Sequence, residues 1–107
     1  MATERMMEQP DSSIHQPVRL KIMAALRALP RTEAVEFTRL RAAVGASDGN
    51  LGAHLTHLEK AGYVVITKDF YHRKPRTRVT MSGSGRKAFE AYVEYLRELI
   101  EAPSPVS

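Results

Sequence analysis

The stretch Ser47-Asp48-Gly49-Asn50-Leu51-Gly52-Ala53-His54-Leu55-Thr56-His57-Leu58-Glu59-Lys60-Ala61-Gly62 decides how the chain folds. Leu51, Leu55 and Leu58 fall at i, i+4 and i+7, one stripe of a helical period, so one side of this helix is buried. Ser47 stands where an N-cap belongs, its hydroxyl placed to accept from the free N–H of Gly49 or Asn50, and Gly62 suits the left-handed residue after a helix end. The spacing predicts a helix from Asp48 to Ala61. With the leucines inward, Gly49, Asn50, Ala53, His54 and His57 are turned away or to the flank. That face is small and polar. A helix selected for solubility alone would carry Glu, Lys and Arg, which are also better helix formers than Gly, Asn or His. Entry into a groove about as wide as the helix, with side chains presented to base edges, accounts for the departure. Taken alone, the same face is also compatible with unselected solvent exposure.

The segment after this helix argues against simple exposure. Tyr63 to Asp69 is β-branched and apolar enough for a strand, and Arg76 to Met81 alternates, Thr77, Val79 and Met81 against Arg76, Arg78 and Thr80. Between them Phe70-Tyr71-His72-Arg73-Lys74-Pro75 reads as a projecting loop, longer than a two-residue hairpin turn. From Gly62 to Lys87 the cations Lys68, Arg73, Lys74, Arg76, Arg78, Arg86 and Lys87 face a single acid, Asp69; the segment is more positive than the whole chain, whose net charge is +4. Both ends are acidic, through Glu4, Glu8 and Asp11 and through Glu90, Glu94, Glu98 and Glu101. Positive charge is thus gathered on the hairpin beside the polar helix, as a phosphate-binding surface requires.

Further out, Pro17 is placed to open a helix whose apolar face is Val18, Ile22, Ala25, Leu26 and Leu29, and Pro30 blocks its continuation. Phe37, Leu40 and Val44 make a second, shorter stripe closed by Gly45. The Gly45-Ala46 link before the Ser47 cap is the length of a turn between two steeply crossed helices. Beyond the second strand Ser82 can cap a last helix, in which Ala88, Phe89, Tyr92, Val93, Leu96, Leu99 and Ile100 recur at steps of three and four. The expected organisation is an arm at 1–13, flexible or a short helix ordered by a partner, a DNA-binding domain at 14–81, a dimerisation helix at 82–101 and a tail at 102–107.

At 107 residues and 43% hydrophobic content the chain is expected to form one domain. No apolar run approaches the roughly 18 residues of a membrane span. A soluble, cytoplasmic protein without membrane association is expected. The absence of cysteine removes disulfide frameworks, thiolate metal sites and cysteine nucleophiles. His54 and His57 could share a metal, but no carboxylate or third histidine lies nearby in sequence to complete a site, so no metal or other cofactor is expected. Ser and Asp occur without a nucleophile elbow or a phosphate loop, and an enzyme is not expected.

The order helix, helix, helix, basic hairpin, helix resembles the winged helix-turn-helix transcriptional regulators of the MarR-like and ArsR-like branches. The resemblance covers about Ile14 to Ile100. It rests on Gln16-Pro17-Val18-Arg19-Leu20, on Ser47-Asp48-Gly49-Asn50-Leu51, on His54-Leu55 with Leu58-Glu59-Lys60-Ala61-Gly62-Tyr63-Val64, and on Arg73-Lys74-Pro75-Arg76-Thr77. It implies an α+β, mostly helical winged helix-turn-helix with a three-helix core, a two-stranded basic wing and a C-terminal dimerisation helix. The partners it implies are double-stranded DNA and a second copy of the chain, the two third helices entering successive major grooves; the sequence identifies no small-molecule effector. Asn50 and His54 are expected at base edges, Thr38 and Ser47 at phosphates near helix termini, and Arg73, Lys74 and Arg76 on the backbone or in the minor groove. Asp48, Gly49, His57 and Arg78 complete the candidate DNA surface, and Phe89, Tyr92, Val93, Leu96, Leu99 and Ile100 the candidate dimer surface. The family's Thr-Pro-Glu-Gly type of helix start is here Ser82-Gly83-Ser84-Gly85, which lacks the capping-box acid and predicts a last helix prone to fray at its start. The function expected is a DNA-binding regulator, most simply a repressor. The competing class is a winged-helix module that binds protein or structured RNA.

Overall fold

The computed structural model describes residues 12–30 and 33–105, so most of the 1–13 arm lies outside the described residues. The elements run α1 (Ser12–His15), α2 (Pro17–Arg27), β1 (Val35–Glu36), α3 (Phe37–Val44), α4 (Asp48–Lys60), β2 (Val64–Tyr71), β3 (Lys74–Met81) and α5 (Gly83–Glu101). Every helix expected from periodicity is present. Pro17 opens α2, and the Gln16 side chain accepts from Arg19 N–H at 3.1 Å, a cap that the proline leaves room for.

α4 begins and ends as its sequence dictates. Ser47 Oγ accepts from Asn50 N–H at 3.2 Å. At the other end Gly62 has φ 83°, its N–H donating to Glu59 O and that of Tyr63 to Leu58 O, each at 2.9 Å. These are the paired bonds of a Schellman motif, which only a left-handed residue after the cap allows. Leu51, Leu55 and Leu58 are essentially fully buried. Burying each contributes roughly 2 kcal/mol, which fixes the rotation of α4 about its own axis and hence which residues face outward. The same core takes Ile14 from α1, Ile22, Met23 and Leu26 from α2, Leu40 and Val44 from α3, Val64 and Val79 from the sheet and Tyr92 from α5.

Three features differ from the sequence reading. The sheet has three antiparallel strands in the order β1-β3-β2, because Val35 and Glu36 pair with Val79 and Arg78. The hairpin is not a six-residue loop. Its strands pair out to Tyr71↔Lys74, leaving a two-residue turn at His72 and Arg73 with φ 50° and 66°. Two successive left-handed residues make the turn whose twist matches paired strands. In such a hairpin the pair next to the closing one is not hydrogen-bonded, so Pro75, opposite Phe70, breaks no bond to β2. The third difference is the start of α5, which is anchored. Ser82 Oγ accepts from Gly85 N–H at 2.9 Å, Ser82 N–H donates to Tyr63 O at 3.0 Å, and its hydroxyl donates to Gly62 O at 2.6 Å. Gly85 is buried, and a Cβ there would stand 2.1 Å from Tyr63 O; the glycine that looks like a weakness is what lets α5 dock.

Candidate nucleic-acid interface

The rotation of α4 leaves Asp48, Gly49, Asn50, Ala53, Thr56, His57 and Lys60 exposed on one side of the helix. Thr56 and Lys60 are absent from the residues singled out by sequence, although about 100° per residue from the leucine stripe places both near the centre of the outward face. Thr56 is exposed and its Oγ1 donates to Gly52 O at 3.0 Å, which uses the hydroxyl proton within the helix and leaves the oxygen able to accept. No Cβ would meet anything within 4 Å at Gly49 or Gly52. The middle of the face is therefore low and open, and a partner's surface can come close to the helix backbone.

His54 sits at the flank, half-buried toward α2. Burial first, then the charges of Arg19 and His57, hold its pKa below the ordinary histidine value, so it is neutral at physiological pH. A neutral imidazole offers one donor and one acceptor instead of a second cation. Asp48 is paired with Arg41 Nη1 from α3, which joins the two helices across the turn and partly neutralises a carboxylate at the α4 N-terminus. Ser47 Oγ is occupied as an acceptor by its cap bond and keeps its own O–H to donate.

The cations of the wing fall into two groups. Asp69 accepts from Arg76 Nε at 2.9 Å through one oxygen, and from Arg76 Nη2 and Arg78 Nη2, each at 2.9 Å, through the other. The hydrogen bond from Arg76 is the main reason the Asp69 carboxyl is held below the usual carboxylate range, and the same bond raises Arg76. Arg76 also lies over the Tyr71 ring, 4.7 Å from its centroid. Arg76 and Arg78 are thus held by Asp69, with Glu36, the cross-strand partner of Arg78, beside them, so much of their charge is balanced locally. Arg73 in the turn and Lys74 beside it are exposed, as is Lys68.

Thr38 is exposed at the second residue of α3 and lines an open groove of about 370 Å³ between that helix end and the wing, together with Phe37, Tyr71, Lys74 and Arg76. The fold therefore brings Thr38 and two wing cations around one space.

α5 divides the candidate dimer surface. Tyr92 lies in the chain's own core, and Phe89 and Leu96 pack half-buried against it. Val93 and Leu99 remain 37% exposed and Ile100 81%. Among the described residues no group of three His, Asp or Glu could hold a metal ion, and no helix is long and apolar enough to cross a membrane.

A reading helix with a low polar face beside a basic hairpin is the arrangement of a winged-helix DNA-binding protein. The chain belongs to the winged helix DNA-binding domain family, which it matches over residues 18–100. It is similar to an uncharacterized protein of Methanocaldococcus jannaschii, 35% identical over 77% of this chain and 86% of that one. Among solved structures it is similar to a transcriptional regulator homologue from Pyrococcus horikoshii, with 26% identity, a TM-score of 0.78, and coverage of 92% of this chain and 93% of the other. It shares its fold with a MarR-family regulator from Silicibacter pomeroyi (16% identity, TM-score 0.61, 84% and 60% covered) and with MepR of S. aureus, solved in complex with DNA (15% identity, TM-score 0.63, 94% and 74% covered).

Proposed function

We propose that the protein is a sequence-specific, double-stranded DNA-binding transcriptional repressor that acts in the cytoplasm as a homodimer. The observation that carries this reading is the outward face of α4, small and polar from Gly49 to Thr56 and flanked by exposed cations on the wing. A face built this way can lie in a major groove without steric conflict, and its amide, hydroxyl and imidazole groups can pair with base edges. Asn50 and His54 read bases, with Gly49 and His57 beside them. Ser47 and Thr38 donate to phosphates near the starts of α4 and α3, and Asp48, paired with Arg41, ties the start of α4 to α3. Arg73 and Lys74 bind the flanking backbone, while Arg76 and Arg78 form the fixed part of the wing's field. The DNA complex of MepR and the description of the Pyrococcus protein as a transcriptional regulator homologue support the reading by likeness.

Homodimer formation rests on the part of α5 that the core does not absorb, Val93, Leu99 and Ile100. A two-fold pair joined there presents two reading helices to half-sites about 34 Å apart on one face of the duplex. Footprinting of the purified protein on the DNA upstream of its own gene tests the proposal. Protection of a two-fold symmetric site is expected, and uniform protection without a preferred site contradicts it.

A further inference from the structure

Two large side chains are exposed at the end of the wing. Phe70 is 73% exposed and Tyr71 55% exposed, on opposite faces of β2. Tyr71 has partners, since Arg76 covers its ring and His72 meets it edge-on at 4.1 Å between centroids. Among the described residues no ring contact of this kind reaches Phe70. Its cross-strand neighbour is Pro75. They form a non-hydrogen-bonded pair, in which side chains stand closest, so ring and pyrrolidine make one apolar ridge. The inner end of that sheet face, Val64 and Val79, is buried in the core, but the ridge lies beyond the core's reach. Lys68 shares the face two residues back, and Arg73 and Lys74 occupy the tip. All three cations are exposed, and the sheet's two acids, Asp69 and Glu36, lie on the other face with their cross-strand partners Arg76 and Arg78.

We propose that Phe70, backed by Pro75, is a wedge that enters the DNA minor groove and partly unstacks a base step, so that the protein bends its operator; this rests on the DNA-binding reading above. An apolar ridge bracketed by cations matches the cross-section of a minor groove, whose floor offers apolar sugar and base edges and whose rims are phosphates. The groove of B-DNA is only about 6 Å wide. A two-stranded ribbon cannot lie flat in it, whereas one projecting ring can be pressed in with Lys68, Arg73 and Lys74 left at the rims. Apolar wedges of this type kink a duplex by roughly 20–90° toward the major groove, which carries flanking DNA onto more of the protein. Pyrimidine–purine steps unstack most easily, so the wedge adds sequence preference at a position the reading helix never touches.

The test uses the intact chain and the duplex it selects from a random-sequence library. 2-Aminopurine is placed at successive steps under the wing, and the bend is read by energy transfer between labelled ends. The parent should raise 2-aminopurine fluorescence at one step per half-site and shorten the end-to-end distance. Phe70→Ala should remove the fluorescence rise, straighten the duplex and weaken binding about tenfold. Lys74→Ala should weaken binding yet, at saturating protein, leave the fluorescence signal in place. Parent protein that binds tightly with stacked, straight DNA overturns the wedge and leaves the DNA-binding reading intact. Failure to select any duplex overturns both. Phe70→Ala that changes the oligomeric state in light scattering, with fluorescence and bend unaltered, assigns the ridge to a second copy of the chain and overturns the wedge.

Discussion

Gly85 and Gly52 show how differently one residue type serves the fold. A Cβ at Gly85 would meet the Tyr63 carbonyl at 2.1 Å, and a backbone oxygen cannot step aside. Gly85→Ala should therefore lower stability by about 3 kcal/mol in urea denaturation, through displacement of α5 from the sheet. Gly52→Ala meets nothing within 4 Å and should raise stability by up to about 1 kcal/mol, because alanine restricts the unfolded chain and suits a helix interior. Sequence alone makes the glycines of 82–85 look like a weak helix start, since the contact that demands one of them comes from Tyr63, a residue distant in sequence. Asp69 carries a pH-dependent prediction of its own. Its carboxyl is held below the ordinary range, first by the Arg76 hydrogen bond. Because the folded value is depressed, the cluster's contribution is complete above the unfolded carboxylate value of about 4 and is lost as pH falls through the lowered one. The Arg76 Nε–H resonance should titrate with a midpoint below about 4 and show no such step in Asp69→Asn; a midpoint at or above that value contradicts the clamp.

The wing is the element least legible in the sequence. Hairpin turns with two left-handed residues are usually marked by Asn-Gly or Asp-Gly, and His72-Arg73 carries neither signal, so the segment from Phe70 to Pro75 looks like a loop. The pairing of Asp69 with Arg76 depends on that register and is equally out of sight. β1 is two residues long, too short for any period to show, and is a strand only because β3 lies beside it. The helices are legible for the opposite reason: Leu51, Leu55 and Leu58, the Ser47 cap and Gly62 are local signals that agree with the packing. Arg73 holds φ 66°, a conformation glycine adopts without cost. Arg73→Gly should leave the hairpin intact or more stable while removing one cation. Combined with Lys74→Ala, it should reduce the slope of log K against log salt by about 0.9 for each phosphate the wing no longer neutralises. An unchanged slope would take the turn out of the phosphate interface.

The molecule as a whole is elongated, 63 × 24 × 22 Å, and α5 runs for 19 residues, only part of which its own domain covers. The periodicity of α5 is plain in the sequence, but its division is not, because spacing cannot tell a stripe packed on its own core from one left bare. Tyr92 and Leu96 are engaged by that core, so a charge at either would unfold the domain. Leu99→Asp with Ile100→Asp is the cleaner test of assembly, since Ile100 is 81% exposed. It should convert a dimer to a folded monomer in light scattering, and affinity for a two-fold site should fall far more than affinity for a half-site, since the second, tethered binding event is removed. A parent that is monomeric at binding concentrations contradicts the dimeric mechanism. The most direct measurement compares affinity for a selected duplex with affinity for random duplex at one salt concentration, for the parent and for Asn50→Ala. The parent should prefer the selected duplex by at least about a thousandfold, and Asn50→Ala should lose about 1 to 3 kcal/mol of that preference with little change on random DNA. Equal discrimination by the two proteins would mean that α4 does not read sequence, and would contradict the account.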